Sequence, residues 1–277
     1  MRRIAVITHG DADRTRGALG TVLELVRATG GTLLMPADER NKHPGIAANA
    51  DPWDESGACD LVLVLGGDGT MLRALQRFLD TQVPVIGINF GRVGFLTSMT
   101  HDEISVRLRD VLAGNFETVA LPTIELVHQG RRHTAVNDVL VSSSTHGRMA
   151  MLGWEVNGID LGERGCDGVV IATAVGSTGY NLSAGGPIMG WGVDAMVVTF
   201  VAPHALDARP LVLAHSHQIR VTSRSQGFSS RVVVDGHVVG SLDEGGVAEI
   251  RLSLSTALLG MLPDRPFLSR YRATFTR

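Results

Sequence analysis

The stretch Leu61-Val62-Leu63-Val64-Leu65-Gly66-Gly67-Asp68-Gly69-Thr70 decides the fold class of this chain. Its first part belongs to an apolar run, Asp60–Leu65, that is typical of a buried strand. The glycines that follow predict a tight turn, and Thr70–Leu79 is predicted to form a helix. A buried strand that leads through a glycine turn into a helix is typical of an α/β domain with a parallel sheet.

Strand and helix patterns alternate on both sides of this stretch. The predicted strands are Ile4–Thr8, Thr32–Met35 and Val83–Ile88, and the predicted helices are Arg16–Thr29 and Asp102–Leu112. The polar segment Pro36–Cys59 contains Pro44 and Pro52 and is predicted to be a loop. Strands and helices that alternate at this spacing predict βαβ units.

The pattern changes after about residue 118, where strand-like runs follow one another. Gln129-Gly130 and Asn157-Gly158 predict two hairpin turns, the first joining Ile124–His128 to Arg131–Ser142. The segment best suited to a helix in this half is Thr178–Ala184. We therefore predict an α/β domain with a parallel sheet over residues 1–118 and a β-rich, β-sandwich-like domain over residues 119–262. Residues 263–277 are predicted to pack back on the first domain.

Composition excludes several classes of protein. The chain has 277 residues with 44% hydrophobic and 19% charged residues, which fits two globular domains and excludes a disordered protein. The net charge of −3 lacks the basic surplus of a nucleic-acid binder. No apolar run reaches the ~18 residues of a membrane span, so we expect no membrane partner. Two distant cysteines make no disulfide framework, and we expect a cytoplasmic protein.

The residues Gly66, Gly67, Gly69 and Thr70 are typical of a phosphate-binding loop. Glycines let backbone N–H groups approach an anion, and a helix N-terminus favours negative charge. The sequence matches neither the Walker A pattern nor the dinucleotide G-x-G-x-x-G pattern. A carboxylate beside phosphates is unfavourable unless it has a task, so Asp68 is predicted to hold Mg²⁺ or to take a proton from an attacking hydroxyl. The alternative is a plain glycine turn in which Asp68 caps the helix.

A second glycine loop, Gly87-Ile88-Asn89-Phe90-Gly91-Arg92-Val93-Gly94-Phe95, follows the next predicted strand. Loops at the carboxyl ends of adjacent parallel strands form a crevice where ligands bind. We predict that Asn89, Arg92 and Phe95 contact the ligand in this crevice, where Arg92 could meet phosphate. For Arg92 a solvated surface position is an equal alternative.

The β-rich half contains two further groups of candidate residues. Asn137-Asp138 closes a strand pattern and predicts either a binding pair or an ordinary turn. The stretch Gly176–Pro187 contains Ser177, Thr178 and Tyr180, whose hydroxyls and ring suit a base or ribose pocket. Its alternative is a glycine-rich loop that packs under a sheet.

Together these motifs resemble the NAD kinase family, and the resemblance runs from Val6-Ile7-Thr8-His9 to His204–Pro210 and beyond. The glycine-Asp-glycine loop alone is shared with diacylglycerol, sphingosine and bacterial lipid kinases and, more distantly, phosphofructokinases. The stretch Gly176–Pro187 is what points to NAD kinases.

The resemblance implies a reaction and a set of residue roles. The family transfers the γ-phosphoryl group of ATP, or of polyphosphate in some members, to the 2′-hydroxyl of the adenosine ribose of NAD. Mg²⁺ or another divalent cation assists, although no residues are assigned to it. By similarity Asp68 is the base, and the family is usually a homodimer or homotetramer whose second domain supplies groups to a neighbour's site. The residues that would bind the acceptor by similarity are Asn137, Asp138, Asp167, Thr178, Tyr180 and Ser183, in addition to Ser177.

The sequence departs from the family pattern only on the acceptor side. Asp138 stands where the family usually has Glu, Val175 replaces a hydroxyl residue, and Gly179 replaces Ala. A paralogue that phosphorylates another nucleotide or nucleoside is therefore the alternative function. Retention of Asp68 argues against a non-catalytic nucleotide-binding protein. Because Lys42 is the only lysine, we expect Mg²⁺, backbone N–H groups and arginine to neutralise the phosphates.

Overall fold

The computed structural model describes residues 2–54, 57–91, 94–145 and 147–276. Arg92, one of the predicted site residues, lies outside these ranges. The chain forms two compact units, Met1–Ala120 together with Ala257–Arg277, and Leu121–Thr256. In the described ranges no helix combines the length and the hydrophobicity needed to cross a membrane.

The first unit alternates strands and helices. Its strands are β1 (Arg3–Thr8), β2 (Thr32–Pro36), β3 (Asp51–Trp53), β4 (Leu61–Gly66), β5 (Val85–Asn89) and β6 (Thr97–Thr100). Its helices are α1 (Arg16–Ala28), α2 (Ala37–Lys42), α3 (Pro44–Ala47), α4 (Asp68–Arg77) and α5 (Ile104–Ala113), with a 3₁₀ turn at His101–Glu103.

The second unit is mainly strands. They are β7 (Glu117–His128), β8 (Arg131–Ala135), β9 (Asp138–Ser143), β10 (Ala150–Val156), β11 (Ile159–Cys166), β12 (Gly168–Ala172), β13 (Ala195–Val201), β14 (Leu211–Ala214), β15 (Gln218–Ser223), β16 (Ser230–Val234), β17 (His237–Leu242) and β18 (Val247–Met261). A 3₁₀ turn at Gly176–Thr178 precedes the short helix α6 (Tyr180–Ser183). The last helix, α7 (Phe267–Phe275), belongs to the first unit.

The sheet of the first unit is parallel. Its strands follow the order β3-β2-β1-β4-β5, with β6 beside β5, and the end of β18 pairs with β5 through Leu259 and Val85. Every residue of β4 and β5 is buried. Strands buried on both faces have continuous apolar sequences, which explains the apolar run Leu61–Leu65 that precedes the glycine turn. On one side α1 covers the sheet with Leu19, Val22, Leu23 and Val26.

The second unit pairs its strands in antiparallel fashion. One sheet has the order β14-β13-β12-β9-β16-β17, and in the other β11, β10, β15 and β18 are neighbours. A single hydrophobic cluster takes residues from both sheets, and Trp154 of β10 meets Phe200 of β13 edge-on at 5.5 Å between ring centroids. Two sheets over one core confirm the predicted β-sandwich-like class.

Both predicted hairpin turns are confirmed. Asn157-Gly158 joins β10 to β11 with φ of 51° and 77°, and Gln129-Gly130 joins β7 to β8 with φ of 48° and 73°. These left-handed angles suit Asn and Gly at such turns. The predicted strand Arg131–Ser142 is instead two strands, β8 and β9, with a break between them.

The prediction of a loop over Pro36–Cys59 is wrong. The segment contains α2, α3 and β3, and β3 pairs with β2. Glu39 of α2 is buried and accepts hydrogen bonds from the backbone N–H and the hydroxyl of Thr8 at 3.0 and 2.6 Å. The buried partners of Glu39 on β1 help to hold α2 in place, and neither prolines nor polar composition reveals them.

Candidate active site

The glycine loop after β4 places Asp68 at the first position of α4, two residues earlier than predicted. Gly67 is the N-cap residue, and its carbonyl oxygen accepts hydrogen bonds from the N–H groups of Thr70 and Met71 at 2.9 and 3.0 Å. A side chain at Gly66 would come within 2.4 Å of the Thr70 hydroxyl, so the turn requires glycine there. Gly69 is exposed, and the N-terminus of this ten-residue helix favours an anion.

The Asp68 carboxylate is held by the second glycine loop. Its Oδ2 accepts a hydrogen bond from the Phe95 N–H at 2.8 Å, and its Oδ1 accepts one from the Leu96 N–H at 3.0 Å. A Cβ atom at Gly94 would lie 2.1 Å from Oδ1. The two loops therefore approach each other this closely only because residue 94 is a glycine, which has no side chain. The two N–H donors fix the orientation of the carboxylate.

Asn89 and Phe95 lie in this second loop. Asn89 is paired with Gly66 across the β4–β5 ladder and is buried, and its Oδ1 accepts a hydrogen bond from the Gly91 N–H at 3.0 Å. The Phe95 ring lies 6.1 and 5.7 Å from the rings of Phe267 and Phe275 on α7. The structure therefore brings Asn89 and Phe95 to the same sheet edge as Asp68.

The only lysine lies at the carboxyl end of β1. Lys42 Nζ is 2.6 Å from Glu39 Oε1 and 3.3 Å from the carbonyl oxygen of Thr8. His43 Nε2 lies 3.0 Å from the Thr8 hydroxyl, and burial lowers the pKa of this histidine despite the neighbouring Glu39. Sequence reasoning missed this cluster because it treated the whole segment as a loop.

In the second unit, Asn137 and Asp138 are positioned by a residue that sequence reasoning missed. The buried carboxylate of Asp235 accepts three hydrogen bonds, from the N–H groups of Val136 and Asn137 at 2.7 Å each and of Asp138 at 3.0 Å. These three N–H groups are thereby occupied at the break between β8 and β9. The only sequence signal is the Asp235-Gly236 turn, where both residues have positive φ.

The Asn137 side chain is distinguished by its hydrogen bonding and the Asp138 side chain by its pKa. Asn137 Oδ1 is buried and accepts no hydrogen bond from any described residue. Burial, together with the nearby Asp235 carboxylate, raises the pKa of Asp138 to about 7. An unpaired buried acceptor is costly, so Asn137 is ready to receive a ligand N–H or O–H group.

The stretch from Thr173 to Ser183 contains both enclosed and accessible residues. Ser177 is fully buried, and its hydroxyl lies 2.6 Å from the carbonyl oxygen of Ala174 and 2.9 Å from the N–H of Met189. Asn181, also fully buried, donates to the carbonyls of Ser177 and Pro187 at 3.0 Å each. These two side chains therefore shape the loop, and Asn181 is a second residue that sequence reasoning missed.

Tyr180 and Ser183 are exposed, and Thr178 is half-buried with its hydroxyl 3.0 Å from the carbonyl oxygen of Val175. A side chain at Gly176 would come within 2.1 Å of the Asn137 carbonyl oxygen, so this loop lies directly against the Asn137 backbone. The structure thus brings Asn137, Asp138 and Thr178 to one end of β12.

Asp167 lies at the opposite end of β12. Asp138 pairs with Ala172, whereas Asp167 precedes Gly168, which pairs with Ser142. Five strand residues span about 17 Å, so Asp167 does not join the Asn137 cluster in this chain. It is exposed and lines a pocket of about 520 Å³ with His204, Arg148 and Arg231.

The departures from the family pattern at Val175 and Gly179 change little of the accessible surface. The Val175 side chain is only 3% exposed, so a hydroxyl residue at this position would itself be enclosed. Gly179 is exposed, and its φ of −93° and ψ of −129° lie outside the α and β regions. No group of three or more His, Cys, Asp or Glu side chains is placed to hold a metal among the described residues.

Sequence comparison finds matches over most of the chain. Residues 48–116 match the ATP-NAD kinase N-terminal domain, and residues 136–259 match the ATP-NAD kinase C-terminal domain. The NAD kinase of Geobacter sulfurreducens is 32% identical over 98% of this chain and 97% of its own length.

Solved structures agree with these matches. An NAD kinase from Archaeoglobus fulgidus in complex with ATP is 26% identical, with a TM-score of 0.76 over 99% of this chain and 97% of that chain. Yeast NADH kinase complexed with NADH gives a TM-score of 0.87 over 100% of this chain and 87% of that chain. At 23% identity, the yeast enzyme is evidence for the fold alone.

Proposed function

The chain belongs to the NAD kinase family, and from this premise we propose that Asp68 activates the 2′-hydroxyl of NAD for attack on the γ-phosphoryl group of ATP. The chain is a phosphotransferase with an alcohol acceptor, and it phosphorylates NAD with ATP as the donor. The comparisons give no support to the alternative acceptor, a different nucleotide or nucleoside.

One observation supports the role of Asp68 most directly. Its carboxylate lies at the N-terminus of α4, between the two glycine loops, and is oriented by the N–H groups of Phe95 and Leu96. In the reaction Asp68 takes the hydroxyl proton while the oxygen forms a bond to the γ-phosphorus. The bond to the bridging oxygen breaks, and ADP leaves. A base within hydrogen-bonding reach contributes roughly 10²–10⁴-fold to the rate.

The residues present fit a magnesium ion that arrives with the nucleotide. Magnesium is commonly bound through one or two protein carboxylates plus substrate phosphates, so a cluster of three acidic residues is not required. Each oxygen of Asp68 accepts one described N–H group and retains further acceptor capacity. Because Asp68 serves as the base, the ion would be held mainly by the nucleotide phosphates and water, and its charge would stabilise the transferred phosphoryl group.

On the acceptor side we assign Asn137 and Asp138 to hydrogen bonds with hydroxyl groups of NAD. This assignment is supported by the buried Oδ1 of Asn137, which has no hydrogen-bond donor among the residues that the structure describes. Thr178, Tyr180 and Ser183 are assigned to the base and ribose because they are accessible, whereas Ser177 shapes their loop. The enclosed position of Val175 supports NAD as the acceptor, since the lost hydroxyl is not one that faces outward.

We assign Asp167 to a role in an oligomer. Asp167 is separated from Asn137 along β12, which supports a homodimer or homotetramer of the kind common in the family. In such an oligomer the second domain of one subunit contributes residues to the site of its neighbour. We also propose that the enzyme works in the cytoplasm. Sedimentation equilibrium tests the oligomer assignment, because a monomer at assay concentration contradicts it.

The decisive experiment measures NADP formation from NAD, ATP and Mg²⁺ by wild type, Asp68→Asn and Asp102→Asn. Asp102 is the matched control because its carboxylate is exposed and lies outside both loops. We expect Asp68→Asn to lower kcat by about 10³-fold and the control to keep wild-type kcat. A parallel screen of NADH and common nucleosides tests the acceptor. An Asp68→Asn variant with wild-type turnover contradicts the proposal, as does a nucleoside preferred over NAD.

A further inference from the structure

Arg270 is a buried cation on α7 that sequence reasoning did not single out. Its side chain is 8% exposed. Nη1 donates hydrogen bonds to the carbonyl oxygen of Phe95 at 2.6 Å and to that of Thr97, and Nε donates to the carbonyl oxygen of Arg265 at 3.1 Å. The planar guanidinium group thus binds several backbone carbonyls at once, which a lysine ammonium group does less well.

These contacts converge on the peptide group between Phe95 and Leu96. The carbonyl of that peptide accepts the hydrogen bond from Arg270, and its N–H donates the hydrogen bond to Asp68 Oδ1. A peptide group is planar and rigid, so fixing its oxygen also fixes the direction of its N–H. Hydrogen bonds in such a chain also polarise one another, because each strengthens the next.

Arg270 also holds the strand that follows. Its Nη2 lies 3.4 Å from the hydroxyl of Ser98, and that hydroxyl donates to the carbonyl oxygen of Gly260 at 2.9 Å. Burial lowers the pKa of Arg270 to about 10, while the charge of Asp68 acts in the opposite direction and Arg265 lowers the pKa further. Arg270 therefore remains a cation at neutral pH.

We propose that Arg270 is a positioning residue for Asp68, acting through the Phe95–Leu96 peptide group. The proposal rests on the role of Asp68 proposed above. Arg270 touches the backbone of the loop and acts on the reaction only by orienting the N–H that holds the carboxylate. A misplacement of about 1 Å costs up to ~10²-fold in rate, so the loss of this hold is measurable in kcat.

The test compares Arg270→Lys with Arg272→Lys in the full chain. Arg272 is the control because it is an exposed arginine on the same helix. The assay measures kcat and both KM values, and hydrogen exchange reports on the amides of residues 94–98. We expect Arg270→Lys to lower kcat by about 10–100-fold with KM values within twofold. Exchange should rise at residues 94–98 and stay unchanged in the other strands. Arg272→Lys should match wild type.

Two outcomes overturn the inference. One is wild-type kcat in Arg270→Lys despite faster exchange at residues 94–98. The other is a loss of kcat together with faster exchange in every strand of the first unit, because that shows general destabilisation. If Arg270→Lys fails to fold, Arg270→Met with added guanidinium ion takes its place, and failure of guanidinium to restore kcat overturns the inference. A wild-type enzyme that makes no NADP refutes the role of Asp68 instead, while the exchange result still tests the hold of Arg270.

Discussion

Asp68 in the first unit and Asp138 in the second are both carboxylates at strand ends, but their surroundings are opposite. Asp68 follows β4 and meets two N–H donors, with the Arg270 cation nearby. Asp138 begins β9, where burial and the Asp235 carboxylate raise its pKa to about 7. The same residue type thus meets two N–H donors in the first unit and a buried, like-charged neighbour in the second, which disfavours the charged form of Asp138.

The two carboxylates also differ in what holds their backbones. Asp68 is in the first turn of a ten-residue helix and its side chain reaches out to a neighbouring loop. The backbone of Asp138 is held by another side chain, that of Asp235, which comes from the turn after β16. In the first unit a carboxylate is the group being positioned, and in the second a carboxylate does the positioning.

Among the variants that test this comparison, Gly94→Ala has the largest expected effect, because it displaces the Asp68 carboxylate. The new Cβ would lie 2.1 Å from Oδ1, so the carboxylate must rotate and lose its two N–H donors. The Gly94 backbone is not left-handed, so alanine fits the chain itself. We expect kcat to fall by about 10²-fold in a folded enzyme.

Gly91→Ala is the matched control because its added Cβ would come no closer than 3.9 Å to any described residue that is not its chain neighbour. Steady-state kinetics of the two variants, with melting temperatures to show folding, make the measurement. Equal turnover in both variants would show that the Asp68 contact with residues 95 and 96 is dispensable.

Local patterns in the sequence predict much of the fold. The apolar run before Gly66, the Asp68 loop and the Asn157-Gly158 hairpin were all predicted, because each depends on residues that are neighbours along the chain. The stretch Thr178–Ala184 was predicted as a helix, and only Tyr180–Ser183 forms one, after a 3₁₀ turn. The helix begins only after Gly179, its N-cap, whose φ of −93° and ψ of −129° are not helical.

The supporting residues of the candidate site could not be predicted in this way. Asp235 holds Val136 from a position 99 residues away, and Arg270 holds Phe95 from 175 residues away. Neither residue lies in a periodic pattern, or at a sequence spacing, that predicts its partner. Glu39 was missed for the same reason, since its donors on Thr8 come together only when α2 packs on β1. The groups that face a ligand follow local motifs, whereas the groups that position them depend on the folded topology.

The next effect in size concerns Asp235→Asn, which keeps the turn but removes the charge. Asparagine tolerates the positive φ of 46°, yet its NH₂ group would face an N–H donor where Oδ1 or Oδ2 now accepts. Asp138 is mainly protonated at pH 6. Removing the Asp235 charge at this pH therefore relieves little repulsion between the two carboxyl groups and adds little stability. We therefore expect the free energy of unfolding to fall by about 2 kcal/mol, the cost of unpaired buried N–H groups.

Urea denaturation at pH 6 measures this effect, with Asp243→Asn as the control. Asp243 is an exposed residue of the neighbouring β17–β18 turn, so its variant should stay within about 0.5 kcal/mol of wild type. If the two variants are equally stable, Asp235 is not what holds residues 136–138.

The smallest expected effect is the pH dependence that Asp138 confers. Its pKa is raised from 3.8 to about 7 in the folded chain, so between these values the folded state binds more protons than the unfolded state. Stability therefore falls as the pH rises through this window, and Asp138→Asn, which resembles the protonated form, escapes the loss. Relative to this variant, wild type should lose about 1 kcal/mol between pH 6 and pH 7. Urea unfolding of the two proteins at both pH values gives the difference, in which the contributions of other titrating groups cancel. A constant difference across this window would mean that Asp138 is ionised throughout, which contradicts the raised pKa.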